Sequence, residues 1–188
     1  MKKAHQAQRQ DRRKQGNSMD TNLLHYELSV EVALAIKAEP LRCWKNAALA
    51  VLTFPRLFAL GTYDEGWIVV PRNQVIAIIE HGWCTSPEIG IVDPSIVLIE
   101  SREQPVTYFS GLEIPGGKLH QYISGKTIPL VCNSHYGRDG MRHKGYKQSY
   151  DKAWQWAQKL AQERQLPQNA IKVSTRDGKR GLTLIKRF

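Results

Sequence analysis

A chain of 188 residues is long enough to bury one substantial core and too short for two domains of ordinary size. Its 41% hydrophobic and 23% charged residues match a soluble globular protein, and no apolar run approaches the ~18–20 residues a membrane-spanning helix needs. The net charge of +10 sits at the two ends: residues 1–16 hold six Lys or Arg against one Asp, residues 169–188 hold the same, and the stretch between them is neutral.

Residues 1–20 have almost no apolar content and read as a disordered basic arm without the apolar segment of a secretory signal. Residues 21–188 read as a single α+β domain. The segment 22–38 spaces Leu24, Leu28, Val32 and Ala35 to share one helical face. Pro40 breaks that helix and opens the next, an Ala- and Leu-rich helix to Leu52 with Cys43 in its first turn. Residues 61–71 end in an apolar β-branched run and read as a strand, 74–84 read as a second, and 90–100 contains a third, interrupted at Pro94. Segment 105–145 is rich in glycine and turn signals and reads as strand and loop. Residues 149–165 form the clearest helix, with Ser149 as N-cap, Asp151 in the first turn and Pro167 beyond the end. Its Trp154, Ala157 and Ala161 stripe faces the domain. The last two β-rich runs flank Asp177-Gly178 and read as a basic hairpin. Strands clustered after helices indicate an antiparallel sheet with helices packed on it, not a parallel α/β sheet.

Three residues carry the chemistry. An antiparallel pairing of 74–84 with the strand from Gly90, around the loop Thr85–Ile89, sets His81 opposite Asp93. Directly opposed residues point to one face, so the carboxylate can accept the imidazole N–H and stabilise its protonated form. Cys43 stands at a helix start, where unpaired backbone N–H groups and the helix dipole favour a thiolate. A thiolate beside an imidazole oriented by a carboxylate is the arrangement that nucleophilic acyl chemistry requires. The cysteines Cys43, Cys84 and Cys132 are too few for a disulfide scaffold, which points to a reducing, cytoplasmic setting.

The order "RCWKNA", "YDEGWIVV", "EHGW", "VDPS" resembles the transglutaminase-like branch of the papain-like cysteine peptidase superfamily. The resemblance covers about residues 40–98 and implies a papain-like core. Carried over, Cys43 is the nucleophile, His81 its general base and Asp93 the orienting acid. Papain-like peptidases place an oxyanion-hole glutamine shortly before the cysteine, but here that stretch reads "KAEPLR". The hole then needs the Cys43 N–H and a second donor. Transglutaminases use an indole N–H there, which makes Trp67 the candidate.

The expected substrate is an amide, ester or thioester on a protein or small molecule, with water or an amine resolving the acyl-enzyme. Cys132, His135 and His143, with Cys84, form an alternative zinc set, but it lacks the second close ligand pair that such sites show. No Walker or dinucleotide glycine pattern occurs, and no cofactor is expected. The alternative function is a non-catalytic module that binds nucleic acid or protein through its basic ends.

Overall fold

The computed structural model describes residues 24–126, 128–130, 143–177 and 181–185. In chain order the helices are α1 (Tyr26–Ala35), α2 (Cys43–Thr53), α3 (Leu119–Ile123) and α4 (Lys144–Glu163). The strands are β1 (Thr62–Arg72), β2 (Val75–Ser86), β3 (Gly90–Val92), β4 (Thr107–Pro115), β5 (Ile171–Asp177) and β6 (Gly181–Ile185). The basic arm, residues 131–142 with Cys132 and His135, and residues 178–180 lie outside the described residues. Among the described residues no helix is long and apolar enough to cross a membrane.

The architecture is α+β. One sheet runs in the order β4-β1-β2-β5-β6, with β3 attached to β2. All neighbours are antiparallel except β2 and β5, which run parallel. The final hairpin is present as β5 and β6. The helix α4 packs its small stripe, Ala153, Ala157 and Ala161, against Trp67, Val69, Ile76, Ile78 and Val173 on one sheet face. The opposite face buries Ile68, Val70 and Trp83 under Ile91, Ile96 and Val106. At one end α1, α2 and α3 close a third cluster around Ala47, Tyr63, Cys84 and Ile114.

Several boundaries differ from the sequence-based expectation. α1 buries Ser29, Val32 and Ala33, and Ala35 is exposed, so the inward face is turned from the all-apolar stripe. Ser29 is drawn in because its hydroxyl accepts from the buried Asp93 N–H and donates to the His25 carbonyl. α4 begins at Lys144 with His143 as N-cap, its Nδ1 accepting from the Tyr146 N–H. Ser149 is therefore a buried interior residue whose hydroxyl donates to the Tyr146 carbonyl. Segment 105–145 is more regular than expected, holding β4 and α3. Past Pro94 the expected strand becomes a single 3-10 turn, Ile96–Leu98.

One feature of the sheet positions the site. β2 pairs β5 through Ile76–Ile79 and β3 through Cys84–Ser86. On that edge Glu80–Trp83 belong to neither ladder. The strand thus forks, and the start of α2 sits at the fork, with Trp44 against Gly82.

Candidate active site

Cys43 is the first residue of α2, after the N-cap Arg42, and is 8% exposed. Leu41, two residues before, has a positive φ of 61°, a strained conformation for a leucine that turns the chain into the helix. The Asn46 amide fixes that entry. Its Nδ2 donates to the Glu39 carbonyl at 2.8 Å and to Ser95 Oγ at 2.9 Å, and its Oδ1 accepts from the Glu39 N–H at 3.2 Å. Asn46 thereby ties "RCWKNA" to "VDPS".

His81 and Asp93 meet, by a different route from the expected register. The β2–β3 ladder pairs Cys84 with Val92 and Ser86 with Gly90, two residues from the expected pairing, because the turn is shorter. A shift of two keeps every side chain on its face, where a shift of one would have reversed them. Asp93 follows the last ladder residue and reaches His81 diagonally, with Nε2···Oδ2 at 2.7 Å.

Asp93 is fully buried and saturated with donors. Its Oδ1 accepts from the Ser95 and Ile96 N–H groups, each at 3.0 Å. Its Oδ2 also accepts from the Tyr108 hydroxyl at 3.0 Å. The Asp93 N–H donates to Ser29 Oγ at 3.0 Å, and that hydroxyl donates to the His25 carbonyl. The Trp83 indole stacks on the imidazole at a centroid distance of 6.3 Å and 15° between planes, and Tyr108 meets Trp83 edge-on. In "HGW", His81 and Trp83 share one face, while Gly82 faces α2. A Cβ on Gly82 would lie 2.6 Å from Trp44 Cδ1, so glycine lets the cysteine helix approach the strand.

The electrostatics follow from this geometry. Burial alone would push the His81 pKa down. The Asp93 carboxylate and the Cys43 sulfur, through charge and hydrogen bonding, outweigh it and raise His81 to about 10. With Nε2 held by Asp93, Nδ1 is the nitrogen left for Cys43. Burial and the Asp93 charge push the Tyr108 phenol well up, so it stays a donor. Cys84, buried like Cys43, donates to the Ala47 carbonyl at 3.3 Å, and burial and then Asp64 and Asp93 push its thiol pKa well up.

Cys43 and His81 open on one cavity of about 500 Å³, lined also by Leu41, Trp44 and residues of β2 and β5. An oriented, protonated imidazole beside a sulfur on such a cavity can deliver a proton to a leaving group while the sulfur attacks a carbonyl.

Trp67 belongs to the same buried cluster as Cys43 and Trp44. It pairs with Glu80 in the β1–β2 ladder, so its side chain points to the face opposite His81. It is fully buried, its ring 5.5 Å from that of Tyr146 and 4.8 Å from that of Tyr150. It packs as core and does not line the cavity. The two described members of the zinc set are engaged separately, Cys84 with Ala47 and His143 as the α4 cap.

Asn46, Ser29 and Tyr108 were not singled out from the sequence. Alternation in "TYFSGLEIP" carries the signal for Tyr108, because it marks β4 and puts that tyrosine beside Ile68 in the ladder. Compared with protein-family models, curated protein sequences and solved structures, the chain matches none of them.

Proposed function

We propose that this chain is a cysteine-dependent acyl-transfer enzyme with a papain-like, transglutaminase-like arrangement of Cys43, His81 and Asp93. The observation that carries the reading is the buried 2.7 Å His81–Asp93 contact, with Cys43 close enough to His81 to raise its pKa and both opening on one cavity. The Cys43 thiolate attacks the carbonyl carbon of an amide, ester or thioester, forming the C–S bond. The bond to the leaving group breaks, and that group takes the proton from the His81 imidazolium. Water or an amine then attacks the thioester, His81 accepts its proton, and the sulfur leaves as thiolate. Asp93 holds the imidazole in place and balances its charge throughout. The N–H groups at the start of α2 stand nearest to stabilise the oxyanion.

The test uses turnover and labelling together. Cys43→Ala is expected to reduce hydrolysis of activated esters by several orders of magnitude, as loss of a nucleophile does elsewhere. In the wild type, Cys43 is expected to react with iodoacetamide at pH 7 about tenfold or more faster than Cys84, and His81→Ala to remove most of that advantage. Equal rates for the two thiols, or unchanged turnover in Cys43→Ala, would overturn the reading.

A further inference from the structure

The chemistry above uses one end of the cavity, and the other end is built from residues that it leaves without a task. Val75, Ala77, Ile79 and His81 alternate along β2 and so share a face. β5 lies beside them in parallel register, with Ser174 next to Ile79 and Lys172 next to Ala77. From the Cys43–His81 end the floor therefore reads Ile79 and Ser174, then Ala77 and Lys172, then Val75. At the rise of an extended strand, the Lys172 level lies about 13 Å from His81 along the floor.

Three observations point to a ligand. Ser174 is 2% exposed and lines the cavity, yet among the described residues its hydroxyl has no hydrogen-bond partner. A buried hydroxyl is costly unless something satisfies it. Lys172 also lines the cavity and forms no ion pair among the described residues, whereas the neighbouring Arg72 is neutralised by Glu100. Around these two polar positions the walls include the aliphatic side chains of Leu41, Val75, Ala77, Ile79 and Ile99. Glu80, the one acid on the lining among the described residues, is bonded by the Tyr146 hydroxyl and belongs to the His81 end.

Resting on the acyl-transfer reading, we infer that the cavity takes the acyl group of the substrate, and that this group is an extended apolar chain ending in an anion. The carbonyl sits at Cys43, and the terminal carboxylate or phosphate pairs with Lys172 and accepts from the Ser174 hydroxyl, which shares its face of β5. A neutral chain of the same length leaves the ammonium without a partner.

The experiment is protection of Cys43 from iodoacetamide in the full chain by two esters of one length. These are monomethyl sebacate, which ends in a carboxylate, and methyl 10-hydroxydecanoate, which ends in a hydroxyl. The carboxylate ester is expected to protect at about tenfold lower concentration, the worth of one partly desolvated charge pair. Lys172→Gln is expected to erase the difference. Inorganic phosphate, which lacks the chain, is expected to protect at neither concentration. Equal protection by the two esters, or a preference that survives Lys172→Gln, overturns the inference, even if Cys43-dependent turnover is intact. Anion-selective protection in a chain with no turnover leaves the cavity assignment standing and removes the acyl-transfer reading.

Discussion

At the scale of single residues, Asp93 carries the most weight. It accepts four hydrogen bonds from four donors in a site with no exposure: the His81 ring, the Tyr108 hydroxyl and the Ser95 and Ile96 N–H groups. By volume alone Asp93→Asn looks conservative. The surroundings say otherwise, because the amide NH₂ would face a donor whichever way it turned. Leaving a buried donor unsatisfied and the His81 cation unpaired is expected to cost about 3 kcal/mol, readable as a lower urea midpoint at unchanged slope. The pH dependence gives an independent check. The folded chain holds a proton on His81 up to about pH 10, while the unfolded chain releases it near 6.5. Between these values the native state binds more protons, so stability from this pair is complete below pH 6.5 and falls as pH rises through 10. In Asp93→Asn that slope is expected to flatten. Parallel wild-type and variant curves between pH 6 and 10 would show that another group holds the proton.

At the scale of elements, the site is the meeting of the start of α2 with the fork in β2. Gly82→Ala tests that meeting. The new methyl must displace the Trp44 indole or the helix carrying it, at an overpacking cost of about 1–3 kcal/mol. Because Trp44 adjoins Cys43, turnover is expected to fall at least tenfold, since small displacements at a reacting centre are costly. A variant that keeps wild-type rates with a lowered melting temperature would show that α2 can yield without moving the sulfur. The same elements show what the sequence made legible. The two strands, the helix starting near Cys43 and the closeness of His81 and Asp93 follow from local signals: β-branched runs, a helix opening and a short turn. The register was two residues off because turn length is not written in periodicity. The role of Trp67 came from the resemblance alone, whereas its pairing with Glu80 sends its side chain to the face opposite His81. Asn46 and Ser29 escaped notice because their partners, Ser95 and the Asp93 N–H, are distant in sequence. Lys172 and Ser174 escaped for the same reason, since only the parallel pairing with β2 brings them to the cavity.

At the scale of the whole molecule, charge and topology matter separately. The basic ends are the part proposed to attract a polyanion, and the neutral middle is the part proposed to react. Binding to a DNA duplex is expected to weaken steeply with salt, and deletion of residues 1–16, with their net +5, to reduce the slope of log K against log salt by about four. Cys43→Ala is expected to bind like the wild type. A salt slope untouched by the deletion would remove the arm from any such role. Topology bears on how the chain reaches its fold. The wall that carries Lys172 and Ser174 is synthesised well after its partner in β2. Until β5 docks, Ile76–Ile79 stands as an open edge that is apolar on both faces, the kind of segment that templates a foreign strand. The long wait for a parallel partner makes that exposure slow to close. A strand with a lysine beside Ala77 ends it, so the segment that shapes the cavity also covers this apolar edge during biogenesis.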